Sequence, residues 1–422
     1  MNRLNFRSSI HRVVVLLAMI FGIGMSNLDQ GSAQVRTTTR RKPADYRSAH
    51  FLIHTDLTAE EAKKLLARME TMLSIISRYW GRSPSGVIEC YVARNVSNWP
   101  AGTMDPRGRQ QIAAEAGVTL SKTRRRGDRF ESKAVVYAHY GRGTALHESV
   151  HAYCSQAFGR TGPTWYAEGM AEMGQYWKKA GDTTVNTHPM VLKYLKVSRP
   201  KPIEEITATG QTTGDSWQNY AWRWALCHLL AYNTNYADRF RPLGMGLLTG
   251  KDVSFDKTYG AMVKQLNFEY RFFLKHMDTG YRADLCSWDW RRRFTPLTSE
   301  RHVAAKIEAG RGWQASGLTL TKGTEYAYSA AGTWKTAKDA DAVTADGADD
   351  GSGWLLGIIM KEMKLGEPFL LGTYGSFKAP QDGKLYLRCH DGWTDLADNT
   401  GELSVKFKRK DKGDPLPRPK DP

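Results

Sequence analysis

The chain lacks the cysteine patterns of a disulfide-rich domain or of a cysteine-ligated zinc site. Its five cysteines are scattered through 422 residues, odd in number, and never spaced C-x-x-C. Cys154 and Cys227 lie inside apolar helical patterns and are typical of small core residues. An exported protein could form one or two disulfides from this set, but their pairing cannot be read from sequence.

Long apolar runs are missing after the N-terminus, so no bilayer-spanning helix is predicted there. Residues 1–33 instead have the parts of a secretory signal peptide: a basic start, the apolar stretch Val13–Met25, and small residues at Gly31-Ser-Ala33 before a cleavage point. That stretch is shorter than the roughly 20 residues of a membrane anchor. The sequence therefore predicts an exported protein (periplasmic, on the cell surface or secreted), without a transmembrane anchor after cleavage.

A nucleic-acid-binding motif or continuous basic face is also absent, although the chain is basic. Its 60 Lys and Arg outnumber 43 Asp and Glu, for a formal net charge of +17. The excess is spread over short clusters such as Arg124-Arg-Arg126 and Lys408-Arg-Lys410. We interpret it as a solvated basic surface that favours anionic polymers of the cell envelope, and we predict no nucleic-acid partner.

What the chain does contain is the pattern His147-Glu148-x-x-His151. On a helix, residues four apart lie on one face, so the two imidazoles can bind one metal ion. Glu148 would then be placed to hold and deprotonate a water at that ion. The alternative is a chance match on a buried helix.

A catalytic zinc needs a third protein ligand. Glu168 supplies a carboxylate 17 positions after His151, on a second predicted helix that follows the turn at Gly162-Pro163. Glu172 lies one turn later on the same face. It is either a carboxylate that holds a ligand imidazole from outside the ligand set, or an ordinary solvated glutamate.

The surrounding patterns predict an α+β start to the fold. A strand at residues 50–55 precedes a capping box at Thr58 and a helix to about Trp80, and further strands are predicted at 87–93 and 134–138. Residues 95–132 are predicted to form a long loop or edge region. We predict a linker at 34–44, an all-β sandwich domain at 305–410, and a disordered tail at 411–422.

The two motifs together, His-Glu-x-x-His and then Trp-x-x-Glu-Gly-Met-Ala-Glu, resemble the gluzincin metallopeptidases with a compact peptidase MA-like domain. Exported bacterial proteins with a DUF1570-type domain are the most similar group. The resemblance implies a zincin-like metallopeptidase domain over residues 45–295, a small sheet plus helices that carry the motif. It further implies zinc as cofactor and three zinc ligands, His147, His151 and Glu168.

The same resemblance implies that Glu148 is the general base and acid of peptide-bond hydrolysis. Related peptidases stabilise the oxyanion with a Tyr or His from a later helix. Tyr220, at the start of an apolar helical pattern, is the candidate here. The alternative for Tyr220 is a packing tyrosine at a helix start.

The C-terminal segment resembles the calcium-dependent galactose-binding bacterial lectins, a family of small β-sandwiches. The likeness lies in segments such as Gly366-Glu-Pro-Phe-Leu-Leu-Gly372 and His390-Asp391-Gly, where His390 replaces the family's asparagine. It implies calcium held by one aspartate and by polar residues four, seven and eight positions later. In this chain these positions are Asp391, Asp395, Asp398 and Asn399.

A Gly/Asp-rich hairpin loop without an ion is the alternative for this segment. The lectins also grip the sugar with a His and a Gln in an earlier loop, and residues 339–353 contain neither. Calcium binding can therefore be kept where galactose binding is lost, and the module would then be structural or substrate-targeting.

The leading hypothesis is an exported zinc metallopeptidase that acts on a peptide or protein substrate. A glycan or cell-envelope polymer is a second class of partner. Two alternatives remain, a catalytically silent zinc-binding envelope protein and a calcium-dependent carbohydrate-binding protein.

Overall fold

The computed structural model describes most of the chain after its N-terminal segment. The described residues are 41–126, 129–141, 143–179, 181–209, 216–298, 301–412 and 415–419. The predicted signal peptide at 1–33 and residues 34–40 of the predicted linker lie outside them. Within the described chain, no helix is both long and apolar enough to cross a membrane.

The described residues form two compact units. The first unit contains the described residues of three segments, Met1–Asp182, Val197–His228 and Arg239–Thr258. The second unit contains the described residues of Thr183–Lys196, Leu229–Asp238 and Tyr259–Pro422. The chain mixes helices with several sheets, which confirms the α+β class. The domain boundary that the sequence suggests, between residues 295 and 305, falls inside the second unit, and the division into domains stays a prediction.

The first unit contains a five-stranded sheet. Its strands are β1 (Ala44–Arg47), β2 (Phe51–Thr55), β3 (Ile88–Ala93), β4 (Gly117–Arg126) and β5 (Arg129–His139). They lie in the order β1-β2-β3-β5-β4, with β3 parallel to both β2 and β5 and with β1 and β4 antiparallel to their neighbours. Strand β4 is therefore an edge strand, with no second strand partner among the described residues.

The helices alternate with these strands and then dominate the middle of the chain. They are α1 (Ala59–Trp80), α2 (Pro106–Ala113), α3 (Thr144–Phe158), α4 (Thr164–Tyr176), α5 (Pro189–Val197), α6 (Ile203–Thr207), α7 (Trp217–Tyr232), α8 (Ala237–Thr249), α9 (Phe255–Tyr259) and α10 (Val263–His276). Short 3₁₀ helices span Val96–Asn98 and Gly260–Met262.

Helix α1 begins and packs as its sequence predicts. Thr58 Oγ1 accepts a hydrogen bond from Glu61 N at 3.1 Å, and Glu61 Oε2 accepts one from Thr58 N at 3.0 Å, which is the predicted capping box. The buried stripe consists of Leu65, Leu66, Met69, Met72, Leu73 and Ile76. Through this stripe α1 packs on β2 and on α3.

Helix α3 carries the His-Glu-x-x-His motif and is buried along its length. It begins after Gly143 and ends at Gly159, both with positive φ (80° and 72°), a conformation that glycine adopts without steric cost. Every residue from Ala145 to Phe158 is buried. Since α3 has no solvated face, the charged and polar side chains of the motif need partners inside the protein.

Residues 95–132 are more regular than their composition predicts, since they contain α2 and β4. The sequence does not predict β4 because of the residues that lie on its buried face. Thr119 and Ser121 are buried on one face, whereas the other face changes from the buried Val118 to the exposed Lys122 and Arg124. The buried face at this end is polar, so β4 lacks the apolar alternation that marks a strand in sequence.

The second unit contains the predicted β-sandwich. Its strands are β6 (Thr295–Pro296), β7 (Val303–Glu308), β8 (Gln314–Leu320), β9 (Glu325–Lys335), β10 (Leu355–Lys361), β11 (Lys364–Leu365), β12 (Phe369–Leu371), β13 (Tyr374–Lys378), β14 (Gly383–Cys389) and β15 (Thr400–Arg409). One sheet has the order β11-β10-β14-β8-β6 with β12 beside β10, and the other has the order β13-β9-β15-β7. Both sheets bury alternate residues in one core, such as Leu385 and Leu387 from the first and Val405 and Phe407 from the second.

The outer face of the first of these sheets is covered by aromatic residues from the same unit. Trp288 packs against Phe272 of α10 and Tyr386 of β14, with ring centroids 5.5 Å and 4.8 Å away.

The C-terminal segment contacts strand β9. Leu416 is buried, and Pro417 O accepts a hydrogen bond from Ser329 Oγ at 3.0 Å. This apolar pair lies in the stretch 411–422 that the sequence predicts to be a disordered tail, and it holds residues 415–419 against β9.

The cysteines are free in the structure. All five are buried, with none bonded to another: Cys90, Cys154, Cys227, Cys286 and Cys389. Cys154 and Cys227 are core residues of α3 and α7, as their helical patterns predict. The cysteines therefore pack in the core as small apolar side chains.

Candidate metal centre

Helices α3 and α4 bring three candidate ligands to one point. His147 and His151 lie one turn apart on α3, and Glu168 lies on α4. His147 Nε2 is 3.1 Å from Glu168 Oε2 and 3.2 Å from His151 Nε2, and His151 Nε2 is 3.4 Å from the same carboxylate oxygen. Each of these residues is at most 3% exposed. The sequence prediction of these three residues as one cluster is thus matched by their geometry.

The spacing of these atoms fits a tetrahedral zinc. Ligand atoms about 2.0–2.1 Å from such an ion lie roughly 3.3–3.4 Å from one another. The three separations, between 3.1 and 3.4 Å, are close to that value. Two imidazoles and one carboxylate also form the donor set of many catalytic zinc sites. The second oxygen of Glu168 is buried and has no hydrogen-bond partner among the described residues.

The electrostatics of the cluster favour a positive charge at its centre. Burial raises the pKa of Glu168, but the charges and hydrogen bonds of His151 and His147 outweigh burial and hold that pKa well below its usual range. Burial lowers the pKa of His147, but hydrogen bonds to Glu168 and Glu172 outweigh it and raise the pKa well above its usual value. A divalent cation bound between these groups would supply such a charge and would displace a proton.

Glu172 contacts the far side of a candidate ligand. Its Oε1 is 3.1 Å from Nδ1 of His147, the ring nitrogen that points away from Glu168. Gln175 Nε2 donates to Glu172 Oε2 at 3.4 Å. A carboxylate in this place fixes the orientation of the imidazole and keeps Nε2 available as a ligand. Glu172 is thus placed to hold His147 in this way, and its role stays a prediction.

Glu148 points towards strand β4. It is fully buried, and its Oε2 accepts a hydrogen bond from Thr119 Oγ1 at 2.8 Å. Its Oε1 is buried and has no hydrogen-bond partner among the described residues. Burial raises the pKa of Glu148, and the neighbouring histidines oppose that rise. The carboxyl group is thus held by one oxygen while the other is left for a proton.

Strand β4 approaches Glu148 closely because it has a glycine there. A Cβ on Gly117 would stand 2.8 Å from Glu148 Cγ and 2.6 Å from Thr144 Cγ2, closer than side chains tolerate. The sequence patterns do not single out Gly117 or Thr119. These two residues could be identified in the sequence only by recognising a strand with glycine and threonine on its buried face. The composition of this region does not reveal such a strand.

Helix α7 brings the predicted Tyr220 to the cluster. Its ring centroid lies 5.8 Å from that of His147, and the Arg223 guanidinium lies over the tyrosine ring at 5.4 Å. Tyr220 and Arg223 are both buried. The close packing of α4 on α7 depends on Gly169, where a Cβ would lie 2.8 Å from the backbone oxygen of Arg223. Tyr220 is therefore beside the three candidate ligands, and its role as oxyanion donor stays a prediction.

The residues predicted to bind calcium lie in the segment that joins β14 to β15. Asp391 Oδ2 and Asn399 Oδ1 are buried and have no hydrogen-bond partner among the described residues, as expected of oxygens available to a cation. Asp395 Oδ1 accepts from Thr394 Oγ1 at 3.0 Å, and Asp398 is exposed. Two of the four residues thus each have a buried side-chain oxygen that makes no hydrogen bond with a described residue.

The carboxylates of this segment are not gathered around one point. Within the described chain, His147, His151 and Glu168 form the group of three or more His, Cys, Asp or Glu side chains whose ligand atoms all lie within 4.8 Å of one another, and Asp391, Asp395 and Asp398 form no such group. His390, which replaces the lectins' asparagine, contacts the preceding loop instead, with Nδ1 at 2.7 Å from Gly351 O. Because a carbonyl oxygen accepts, Nδ1 of His390 is the donor of this bond.

Comparisons with known proteins give a structural likeness but no match to a family model or a curated sequence. No protein-family model and no curated protein sequence matches the chain. Among solved structures, it is similar to one described as "EclA N-terminal domain; PllA-like lectin", with a TM-score of 0.21 and 24% sequence identity. The match covers 25% of this chain and 95% of that chain. A likeness at this TM-score supports no conclusion about function.

Proposed function

We propose that the protein is an exported zinc-dependent metallopeptidase with a gluzincin-like site in a zincin-like domain. One observation carries the proposal. Three buried ligand atoms, from His147, His151 and Glu168, lie 3.1–3.4 Å apart, one residue along the chain from a buried glutamate with an unpaired oxygen. A purely structural cluster gains nothing from that unpaired oxygen, which costs free energy when buried.

When bound, zinc supplies a Lewis acid that polarises the substrate carbonyl and lowers the pKa of a water to about 7. Oε1 of Glu148 accepts the proton of the attacking water and then delivers it to the nitrogen of the leaving amine. Glu172 holds His147 through Nδ1 so that Nε2 stays directed at the ion. The phenol of Tyr220 is our candidate donor to the oxyanion of the tetrahedral intermediate.

Thr119 positions Glu148 in this mechanism. We expect Thr119→Val to lower kcat by roughly 10-fold, because it leaves Oε2 of Glu148 buried and unpaired, at a cost of about 1–3 kcal/mol. Thr119→Ser keeps the hydroxyl and should stay within about twofold of the wild type. Steady-state kinetics with a peptide substrate, together with zinc content, test this. An equal loss of zinc in both variants would contradict a positioning role.

The substrate is expected to bind as an extended strand. Strand β4 contacts Glu148 through Thr119 and has no second strand partner among the described residues. Extended peptides bind such edges through main-chain hydrogen bonds. A peptide along β4 would pass directly over the general base, which favours hydrolysis of a peptide bond over that of a small ester.

For the sandwich, we propose a calcium site at Asp391, Asp395, Asp398 and Asn399. The support is the pair of buried oxygens, Asp391 Oδ2 and Asn399 Oδ1, that lack hydrogen-bond partners among the described residues. Oxygen ligands suit this hard cation. A glycan or cell-envelope polymer is the second partner class, and a calcium-dependent carbohydrate-binding protein is the second candidate function.

The experiment that tests the main proposal is metal analysis of the secreted protein combined with broad peptide profiling. We expect one zinc per chain and peptide hydrolysis that stops with a chelator and returns with zinc. Stoichiometric zinc without hydrolysis of any peptide in the library would favour the silent zinc-binding protein. Calcium-dependent binding on a glycan array, with no zinc and no hydrolysis, would favour the carbohydrate-binding protein.

A further inference from the structure

Strand β4 links the candidate metal centre to a basic surface. Thr119, which contacts Glu148, is followed on the same strand by the exposed residues Lys122 and Arg124. At about 3.4 Å per residue, these two lie roughly 10 Å and 17 Å from Thr119 along the strand. Because side chains alternate along a strand, both point to the face opposite Thr119.

The charge on this face is only partly compensated. In the register of β4 and β5, Arg124 is directly opposite Glu131, but Lys122 is directly opposite Lys133, and like charges in that relation repel. Lys133 pairs with Glu89, whose Oε2 is 3.0 Å from its Nζ. Neither Lys122 nor Arg124 forms an ion pair with any described residue. An anionic group beside the strand would therefore gain attraction and relieve the repulsion.

The edge of β4 that has no strand partner among the described residues determines where such a group would lie. A strand added beside β4 places its side chains about 4.5–5.5 Å from those directly opposite, on the same face. Lys122 and Arg124 are two residues apart, so they face residues i and i+2 of the added strand. The residue between them points to the other face. The pattern that matches is acidic-x-acidic, three to five residues from the position opposite Thr119.

We propose that the enzyme prefers peptide substrates with an acidic-x-acidic segment on one side of the scissile bond, recognised by Lys122 and Arg124. This inference rests on the proposed peptidase function and names its substrate class. The cationic pair adds to main-chain pairing with β4 and fixes the register in which the peptide crosses Glu148. Exposed charge pairs contribute about 0.2–1 kcal/mol each, so two pairs correspond to roughly a 2- to 30-fold preference.

The test uses four otherwise identical decapeptides with a fluorescent label. Positions i and i+2 carry Glu and Glu, Gln and Gln, or Lys and Lys, and the fourth peptide carries both Glu residues one position out of phase. Binding is measured by anisotropy with the full-length Glu148→Gln protein, and kcat/KM is measured with the wild type. We expect the in-phase Glu peptide to exceed the Gln peptide 2- to 30-fold, and the out-of-phase peptide to fall between them.

Two double variants distinguish recognition by Lys122 and Arg124 from an effect of the protein's net charge. Lys122→Glu/Arg124→Glu should reverse the order of the Glu and Lys peptides. The control Lys63→Glu/Arg68→Glu makes the same change of net charge at exposed positions of α1 and should keep the order. Equal loss in the two double variants would show that only net charge matters, which overturns the proposal.

Failure of this inference differs from failure of the proposed function. If the Gln and Glu peptides bind and are cleaved equally well, the peptidase stands and the acidic preference is wrong. If no peptide is cleaved but the in-phase Glu peptide still binds through Lys122 and Arg124, the preference stands and the peptidase function is wrong. Binding of an oligonucleotide through the same pair, without acidic-peptide binding, overturns the preference.

Discussion

Glu148→Gln is expected to abolish peptide hydrolysis and to leave zinc bound. Glutamine has the shape of glutamate and can still accept the hydrogen bond from Thr119 through its amide oxygen, but it cannot take a proton. General-base catalysis contributes typically 10²–10⁴-fold, so kcat should fall by about 10³-fold or more. Glu148 points towards β4 and is absent from the ligand cluster, so zinc content should stay at one per chain.

The measurement combines single-turnover kinetics with metal analysis of the same preparation. Thermal unfolding of the wild type and Glu148→Gln should give closely similar midpoints, since the Thr119 contact is kept. Loss of zinc in this variant would make Glu148 a ligand and not a base. Retention of more than about a tenth of wild-type kcat would assign the proton transfer to another group.

The unpaired carboxylate oxygens of Glu148 and Glu168 can be compared with those of another buried glutamate, in the second unit. Glu269 is buried, and both its oxygens accept hydrogen bonds from neutral donors on Asn233, Asn235, Tyr236 and Trp290. It needs no further partner. Glu148 and Glu168, by contrast, each leave Oε1 buried and unpaired within the described chain. The first arrangement is structural, and the second is expected of groups that await a ligand or a proton.

The sequence predicts the helical half of the site well, for physical reasons. The i, i+4 spacing fixes His147 and His151 on one face of any helix, and Gly159 and Gly162-Pro163 mark the end of that helix and a turn. Two short helices joined by a turn have few ways to pack, so the sequence alone is enough to pair Glu168 with the histidines. Tyr220 is suggested only by the resemblance to metallopeptidases, since its place at the start of an apolar helix equally fits a packing tyrosine.

The strand half of the site could not be predicted in the same way. Thr119 contacts Glu148 because β4 pairs antiparallel with β5, which is a non-local interaction. Its inward face carries Gly117 and Thr119 in place of the Val and Ile that mark a strand. The segment with the proposed calcium ligands, between β14 and β15, could not be predicted either. The spacing of the ligands in the sequence does not determine where carboxylates in a loop point. Asp398 is exposed, while Asn399 next to it is buried.

The two glutamates of α4 are expected to differ in their effect on zinc. Glu168 Oε2 contacts Nε2 of both histidines, whereas Glu172 contacts only Nδ1 of His147. Structural zinc sites bind with about 10–16 kcal/mol from four ligands, so loss of one ligand should cost roughly 3 kcal/mol. We therefore expect Glu168→Gln to weaken zinc binding by roughly 10²- to 10³-fold. Glu172→Gln can still accept from Nδ1 through its amide oxygen and should weaken binding about 10-fold.

Competition with a chromophoric chelator measures both affinities, and the two variants are matched controls for each other because each replaces one carboxylate on α4 with an amide. The increase in melting temperature on adding zinc gives an independent readout, since a ligand that binds only the folded protein stabilises it in proportion to RT ln(1 + [Zn]/Kd). Equal losses in the two variants would remove Glu168 from the ligand set. A larger loss in Glu172→Gln would exchange their roles and make Glu172 the carboxylate that binds zinc.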